Sequence, residues 1–311
     1  MSASQSGNRT IAVVGCGLIG ESWAALFLHH GFDVLAWDPN DVARDSFAQR
    51  TRRPLGQLAE LAAPAGSLGR LTVVATVEEA VAGAALVQEN APENIPVKHA
   101  LYTQIEAAAA PDCIIASSTS ALRWSDLSPG MAWPERLITA HPFNPPHLVP
   151  LVEMFGPDAQ VLDRAEAIYR AIGREPVRMT KEATGHIANR LASALWREAV
   201  HLVAEGIADV GAIDAALKHG PGLRWSVVGA HMAYHLGGGP GGIGHYLSHL
   251  GPSQERRWAS LGSPSLTPEV CAQIVQGIEA EASGRTIATL EAERDAALIA
   301  VLRARKTAGP V

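Results

Sequence analysis

From residue 10 to about residue 177, short β-branched runs alternate with longer stretches whose apolar residues recur at helical spacing. This alternation predicts a parallel sheet with crossover helices. Strands are expected at 10–14, 33–37, 71–75, 85–88, 113–116 and 136–140. Two further apolar runs, 149–154 and 175–179, flank a helical stretch at 159–172. Beyond Lys181 the strand pattern stops, and helices are expected at 184–205, 210–218, 267–282 and 287–303. A β/α half followed by an all-helical half predicts two domains, residues 1–182 and 183–311. The run Gly237-Gly238-Gly239-Pro240-Gly241-Gly242 reads as a loop or hinge inside the second half, because helical pattern continues on both sides.

The length of 311 residues fits two domains or one large α/β unit, and 47% hydrophobic with 18% charged residues excludes a disordered or fibrous chain. A formal net charge of -6 gives no pull toward nucleic acid or anionic lipid. Cys16, Cys113 and Cys271 lie far apart without metal-ligand spacing, so neither a disulfide framework nor a structural metal is expected. The polar start shows no secretory signal, and no apolar run reaches membrane-spanning length. The expectation is a cytoplasmic protein with no nucleic-acid or membrane partner.

The first strand runs into Gly15-Cys16-Gly17-Leu18-Ile19-Gly20, followed by a helical stretch at 21–30 and a second strand ending at Asp38. That context turns a weak glycine motif into the fingerprint of a Rossmann-type dinucleotide-binding domain. Gly15 permits the tight turn, Gly17 lets the backbone approach a pyrophosphate, and Gly20 lets helix and strand pack closely. Leu18 and Ile19 belong to the same cofactor loop, whose helix N-terminus favours an anion. Asp38 can bind the ribose hydroxyls, and its charge opposes a 2′-phosphate. With no base in Pro39-Asn40-Asp41, and Arg44 the nearest one, the cofactor expected is NAD.

His141 ends one strand, and Asn144-Pro145-Pro146 turns the chain before the strand that carries Glu153. A histidine beside a carboxylate is an acid/base unit, because the carboxylate fixes the tautomer and stabilises the imidazolium. The alternative is a structural histidine in a proline-rich turn. The repeats His231-x-x-x-His235 and His245-x-x-x-His249 place two imidazoles on one helix face, as some metal sites do. With no acidic residue close by, they read as surface or pocket-lining histidines, and no metal is expected.

Taken together, Gly15-x-Gly17-x-x-Gly20, Asp38, Glu93-Asn94-x-x-Val97-Lys98, Ser120, His141-x-Phe143-Asn144-Pro145, Leu151-Val152-Glu153 and Gly185-x-Ile187-x-Asn189-Arg190-Leu191 resemble the 3-hydroxyacyl-CoA dehydrogenase family over nearly the whole chain. The resemblance implies acid/base catalysis by His141 with Glu153, and contacts from Ser120 and Asn189 to the substrate oxygen. It also implies cofactor contacts at Glu93, Lys98 and Ser118, where acyl-CoA enzymes usually carry Asn in place of Ser118. Acyl-CoA enzymes have a longer, lysine-rich hairpin after the second strand. Here residues 41–69 are shorter and carry Arg50, Arg52 and Arg53 but no lysine.

The second half resembles the branch of that family that acts on small free acids, through Leu195-Trp196-Arg197-Glu198-Ala199, Gly222-Leu223-Arg224-Trp225-Ser226, Tyr234-His235-Leu236 and Gly251-Pro252 with Trp258 following. The implied reaction interconverts a small 3-hydroxy acid and its 3-keto acid. A CoA thioester is the alternative substrate, and a non-enzymatic structural protein is the rival from another class. Phe143, Trp225, Tyr234 and Trp258 are candidates for cation–π contact with a cationic substrate group, or core aromatics. Arg224 is a candidate for a substrate carboxylate, or one half of a buried ion pair. Helical stretches apolar on more than one face, such as 191–196 and 296–302, predict a homodimer.

Overall fold

In strand β1 (Thr10–Val14) Ile11 and Val13 join one buried cluster while Ala12 and Val14 join another, as the two-residue period of a strand covered on both faces requires. The computed structural model describes residues 9–308. The sheet continues through β2 (Asp33–Trp37), β3 (Leu71–Val73), β4 (Leu86–Glu89), β5 (Ile114–Ser117), β6 (Leu137–Pro142), β7 (Leu151–Phe155) and β8 (Glu175–Arg178). Their order is β3-β2-β1-β4-β5-β6-β7-β8.

Every neighbouring pair is parallel except β6 and β7, which are antiparallel. The reason is length. Only residues 143–150 join β6 to β7, and a parallel crossover needs a dozen or more.

Helices α1 (Leu18–His29) and α2 (Asp41–Leu61) cover one face with the help of α6 (Ala159–Ala171), and their Trp23, Phe27, Phe47 and Tyr169 are buried there. On the other face lie α3 (Val77–Val81), α4 (Ile95–Ala108) and α5 (Trp124–Leu127), with Tyr102 and Ile105 at the centre. Helix starts follow short polar side chains: Asn40, Asn94 and Asp158 each accept amide hydrogen bonds at the first turns of α2, α4 and α6. Helix α1 differs. Its cap is Gly17, which offers no side-chain oxygen, so its first amides have no side-chain acceptor.

The chain divides into two compact units, one through Arg190 and one from Leu191. The second unit is helical: most of α7 (Ala188–Ala204), then α8 (Val210–His219), α9 (Pro221–Trp225), α10 (Ala230–Gly237), α11 (Gly242–Ala259), α12 (Pro268–Ala282) and α13 (Ile287–Ala308). Helix α7 starts four residues later than its apolar pattern suggests, because Gly185 (φ 75°) and His186 (φ 50°) are both left-handed. The glycine run at 237–242 forms a tight corner between α10 and α11. A Cβ on Gly238 would meet the Gly242 carbonyl oxygen at 1.9 Å, and one on Gly242 would meet the His235 ring at 2.6 Å. These glycines allow close packing, and the break expected inside the second half is this short connection between two helices. No helix among the described residues is long and apolar enough to cross a membrane.

Candidate active site

Gly15 takes φ 100°, which only glycine adopts readily, and a Cβ there would meet the Asn90 carbonyl oxygen at 2.8 Å. Gly17 faces open space, and a Cβ on Gly20 would meet the Gly15 carbonyl oxygen at 2.0 Å. At the end of β2, Asp38 accepts the Cys16 amide at 2.8 Å through one carboxylate oxygen and the Asn40 amide at 2.9 Å through the other. Arg44 donates to the Asp38 carbonyl and pairs with Asp41. A cavity of about 400 Å³ opens here between Gly15, Trp37, Asp38, Pro39 and Asn90. An uncapped helix start, a glycine with room above it and a carboxylate at the end of the second strand together fit a dinucleotide.

Beside this cavity lies a fully buried carboxylate that the apolar strand pattern conceals. Glu89 accepts Lys98 Nζ at 2.6 Å, the Ala91 amide at 2.6 Å, and the hydroxyls of Tyr102 and Ser117 at 2.7 Å each. Burial and Glu89 together push the Tyr102 phenol well above its ordinary value. Lys98 is only 1% exposed, and its other partner is the Ala91 carbonyl. Ser118 donates to Asn90 and accepts from Trp23 and Gln88.

The antiparallel register sets His141 directly opposite Glu153. His141 Nδ1 lies 2.9 Å from Glu153 Oε2, and Glu153 Oε1 accepts the amides of Ile187 at 2.7 Å and Ala188 at 2.8 Å. Burial pushes the Glu153 carboxyl up, but the hydrogen bonds from His141 and the two amides outweigh it and hold the group below its ordinary value. With Nδ1 on the carboxylate, Nε2 is the nitrogen left for a reacting hydroxyl.

In the cavity that His141 lines, Glu93 accepts the Ser120 amide, the Ser120 hydroxyl at 2.9 Å and the Thr119 hydroxyl at 2.8 Å. Partial burial raises the Glu93 carboxyl, but these donors and the positive charge of Lys98 bring it below its ordinary value. Asn189 donates to the Ser120 carbonyl at 3.2 Å. Ile19, Glu93, Ser118, Ser120, His141, Phe143 and Asn189 thus line one cavity of about 440 Å³, which shares Asn90 with the first. Glu153 stands behind His141.

Arg224, Trp225, Tyr234 and Trp258 belong to the second unit, where all four are exposed. Arg224 has no ion-pair partner among the described residues, so the buried-pair alternative falls away. Tyr234 packs on Tyr246 with ring centroids 5.0 Å apart. His235 Nδ1 accepts the Ile243 amide, and the His245 and His249 rings lie 4.0 Å apart. No cluster of three potential metal ligands occurs among the described residues. Sequence reasoning missed Glu89, Asn90, Thr119 and His186. A charge closing the strand Leu86-Val87-Gln88-Glu89 and a histidine inside the apolar Gly185-x-Ile187 motif were the available signals.

Residues 10–183 match the family described as 3-hydroxyacyl-CoA dehydrogenase, NAD binding domain, and residues 185–262 match its C-terminal domain. The chain belongs to the 3-hydroxyacyl-CoA dehydrogenase family. This family member is an NAD-dependent dehydrogenase with a Rossmann domain followed by a helical domain. An L-carnitine dehydrogenase of Pseudomonas putida is 43% identical over 284 residues, which is 90% of this chain and 88% of that protein. One of Streptomyces griseus is 46% identical over 288 residues, 90% of this chain and 85% of that protein. A solved 5-formyl-3-hydroxy-2-methylpyridine 4-carboxylic acid 5-dehydrogenase, an NAD-dependent dismutase, is similar with TM-score 0.82 and 30% identity over 95% of this chain and 97% of that one.

The burial of Lys98 makes a prediction about this family member. Lys98→Met leaves Glu89 charged and short of a partner, and should cost about 3–5 kcal/mol in urea unfolding. A loss below about 1 kcal/mol, accompanied by weakened NAD binding, would instead make Lys98 primarily a cofactor contact.

Proposed function

We propose that this enzyme oxidises a small free 3-hydroxy acid to the 3-keto acid, with L-carnitine as the first substrate to test. The observation that carries the reaction is the His141–Glu153 pair at the edge of a cavity that also holds Ser120 and Asn189. His141 Nε2 takes the hydroxyl proton, and ionised Glu153 compensates the charge that forms on the imidazole. Ser120 and Asn189 orient the oxygen. The Ser120 hydroxyl donates to Glu93 here and must turn to donate to the substrate oxygen, whose own single proton goes to His141. Gly15, Gly17, Leu18, Ile19, Gly20 and Asp38 hold NAD, with Glu93 and Ser118 on the nicotinamide side, while Lys98, buried on Glu89, is no cofactor contact but braces the strand end beside them; bound NAD supplies the acceptor for the hydride that leaves the carbinol carbon. Residues 1–182 form the NAD-binding domain and 183–311 the substrate and dimerisation domain.

The substrate class rests on the similarity to L-carnitine dehydrogenases over 90% of the chain. It is supported by α2, where Arg50 is engaged by Glu21, Ser46 and the Cys16 carbonyl rather than free for a CoA phosphate. Phe143, which lines the cavity with His141, is assigned to the trimethylammonium group through cation–π contact. The free thiols, two of them buried, suit a reducing cytoplasm.

Exposed apolar side chains concentrate in the second unit, among them Leu191 at 66%, Trp196 at 53% and Trp258 at 61% exposure, which favours a homodimer built on that unit. Light scattering at micromolar concentration should give twice the chain mass, and a monomer contradicts the assignment. NADH formation should saturate with L-carnitine or another free 3-hydroxy acid, and NADP should support it poorly because Asp38 opposes the 2′-phosphate. Saturation by 3-hydroxybutyryl-CoA at far lower concentration than by any free acid would overturn the small-acid reading.

A further inference from the structure

His186 is a buried titratable residue against the reacting pair, and the reaction as written assigns it no task. It is 1% exposed and sits in the turn before α7 with φ 50°. Its ring packs against that of His141, centroids 5.0 Å apart and planes 27° from parallel. The next two residues supply the amides that hold Glu153 Oε1.

Its hydrogen bonding is one-sided. Nε2 lies 3.0 Å from the Thr119 carbonyl oxygen, and a carbonyl only accepts, so Nε2 carries the proton. Nδ1 then has a bare lone pair, buried and without a hydrogen-bond partner among the described residues. An apolar ring would fill the same space against His141 without stranding an acceptor, so the compensating feature of an imidazole here is the bond to Thr119. The charged and titratable groups around it are His141 from β6, Glu153 from β7 and Glu93 from the loop after β4. Burial holds His186 below its ordinary value; the Thr119 carbonyl favours its protonation, His141 opposes it, and the two carboxylates favour it. At neutral pH it is therefore a neutral Nε2–H donor.

Thr119 precedes the hydroxyl-bearing Ser120, and the Ser120 carbonyl is held in turn by Asn189. The segment 186–189 thus grips two successive carbonyls of the Ser120 loop and, through its amides, the carboxylate behind His141. We propose that His186 is a positioning residue: its Nε2–H anchors the Thr119 carbonyl and so fixes Ser120 relative to His141, against whose ring its own ring is packed. This rests on the acid/base reading of His141 and extends it to a residue that touches no reacting atom.

The experiment compares His186→Phe, which keeps a ring but loses the anchor, with His186→Gln, whose amide N–H can reach the same carbonyl. L-carnitine is the substrate, or 3-hydroxybutyrate if it is the faster. Phe should lower kcat about tenfold with KM for NAD within twofold, and Gln should recover most of that loss. In a Ser120→Ala background the Phe substitution should cost less than twofold, because the loss passes through Ser120. In ¹⁵N NMR, the histidine signal missing from His186→Phe should show a neutral Nε2–H imidazole at pH 7 to 8. A Phe variant as active as the parent, an equal loss without Ser120, no recovery by Gln, or an Nδ1–H tautomer would each overturn the proposal. An unmutated enzyme inactive on every 3-hydroxy acid would instead count against the catalytic reading, and the NMR result would still decide whether the anchor exists.

Discussion

Glu153 has almost no access to water and must find its solvation inside the protein. An unpaired carboxylate in such a place costs several kcal/mol, so the fold has to bring donors to both oxygens. One oxygen faces His141 across the β6/β7 register, and the other receives the Ile187 and Ala188 amides. The antiparallel strand, the short turn at 143–150 and the left-handed pair Gly185–His186 are the structural means of meeting that demand. The same arrangement turns the His141 ring so that Nδ1 is occupied and Nε2 is left for chemistry. In the proposed reaction, stability and catalysis are served by the same hydrogen bonds.

The device recurs. Glu89 gathers Lys98, Tyr102, Ser117 and the Ala91 amide, tying the end of β4 to α4. Glu106 accepts the Ala132 and Trp133 amides and fixes the loop before β6. Glu93 holds Thr119 and Ser120 at the mouth of the cavity. In each case a carboxylate accepts from backbone or side-chain donors of a neighbouring segment and ties the two together, which lets loops carry chemical groups at fixed positions.

The cofactor end was legible in the sequence because its information is local. Gly15, Gly17, Gly20 and Asp38 stand at spacings set by one strand, one turn and one helix. The His141–Glu153 pairing was legible for a related reason, since a short proline-rich turn leaves few ways for two adjacent strands to lie. The direction of β7 required counting that turn against the length of a crossover. What stayed hidden depends on contacts distant in sequence or on unusual backbone. The partners of Ser118 include Trp23, which no periodicity connects to it. Lys98 read as a cofactor contact, and only the three-dimensional structure shows it buried on Glu89. His186 matters through a left-handed turn and a ring contact that apolar pattern cannot express.

The claim on which the whole account depends is that Glu153 compensates the charge His141 acquires. Its most direct test is the pH dependence of kcat for alcohol oxidation by Glu153→Gln, with NAD affinity measured in parallel. A glutamine keeps the size and one acceptor but not the charge, so kcat should fall by about 10²–10⁴-fold, the acid limb should move to lower pH, and NAD affinity should stay within twofold. A variant with kcat and pH profile unchanged would contradict the account.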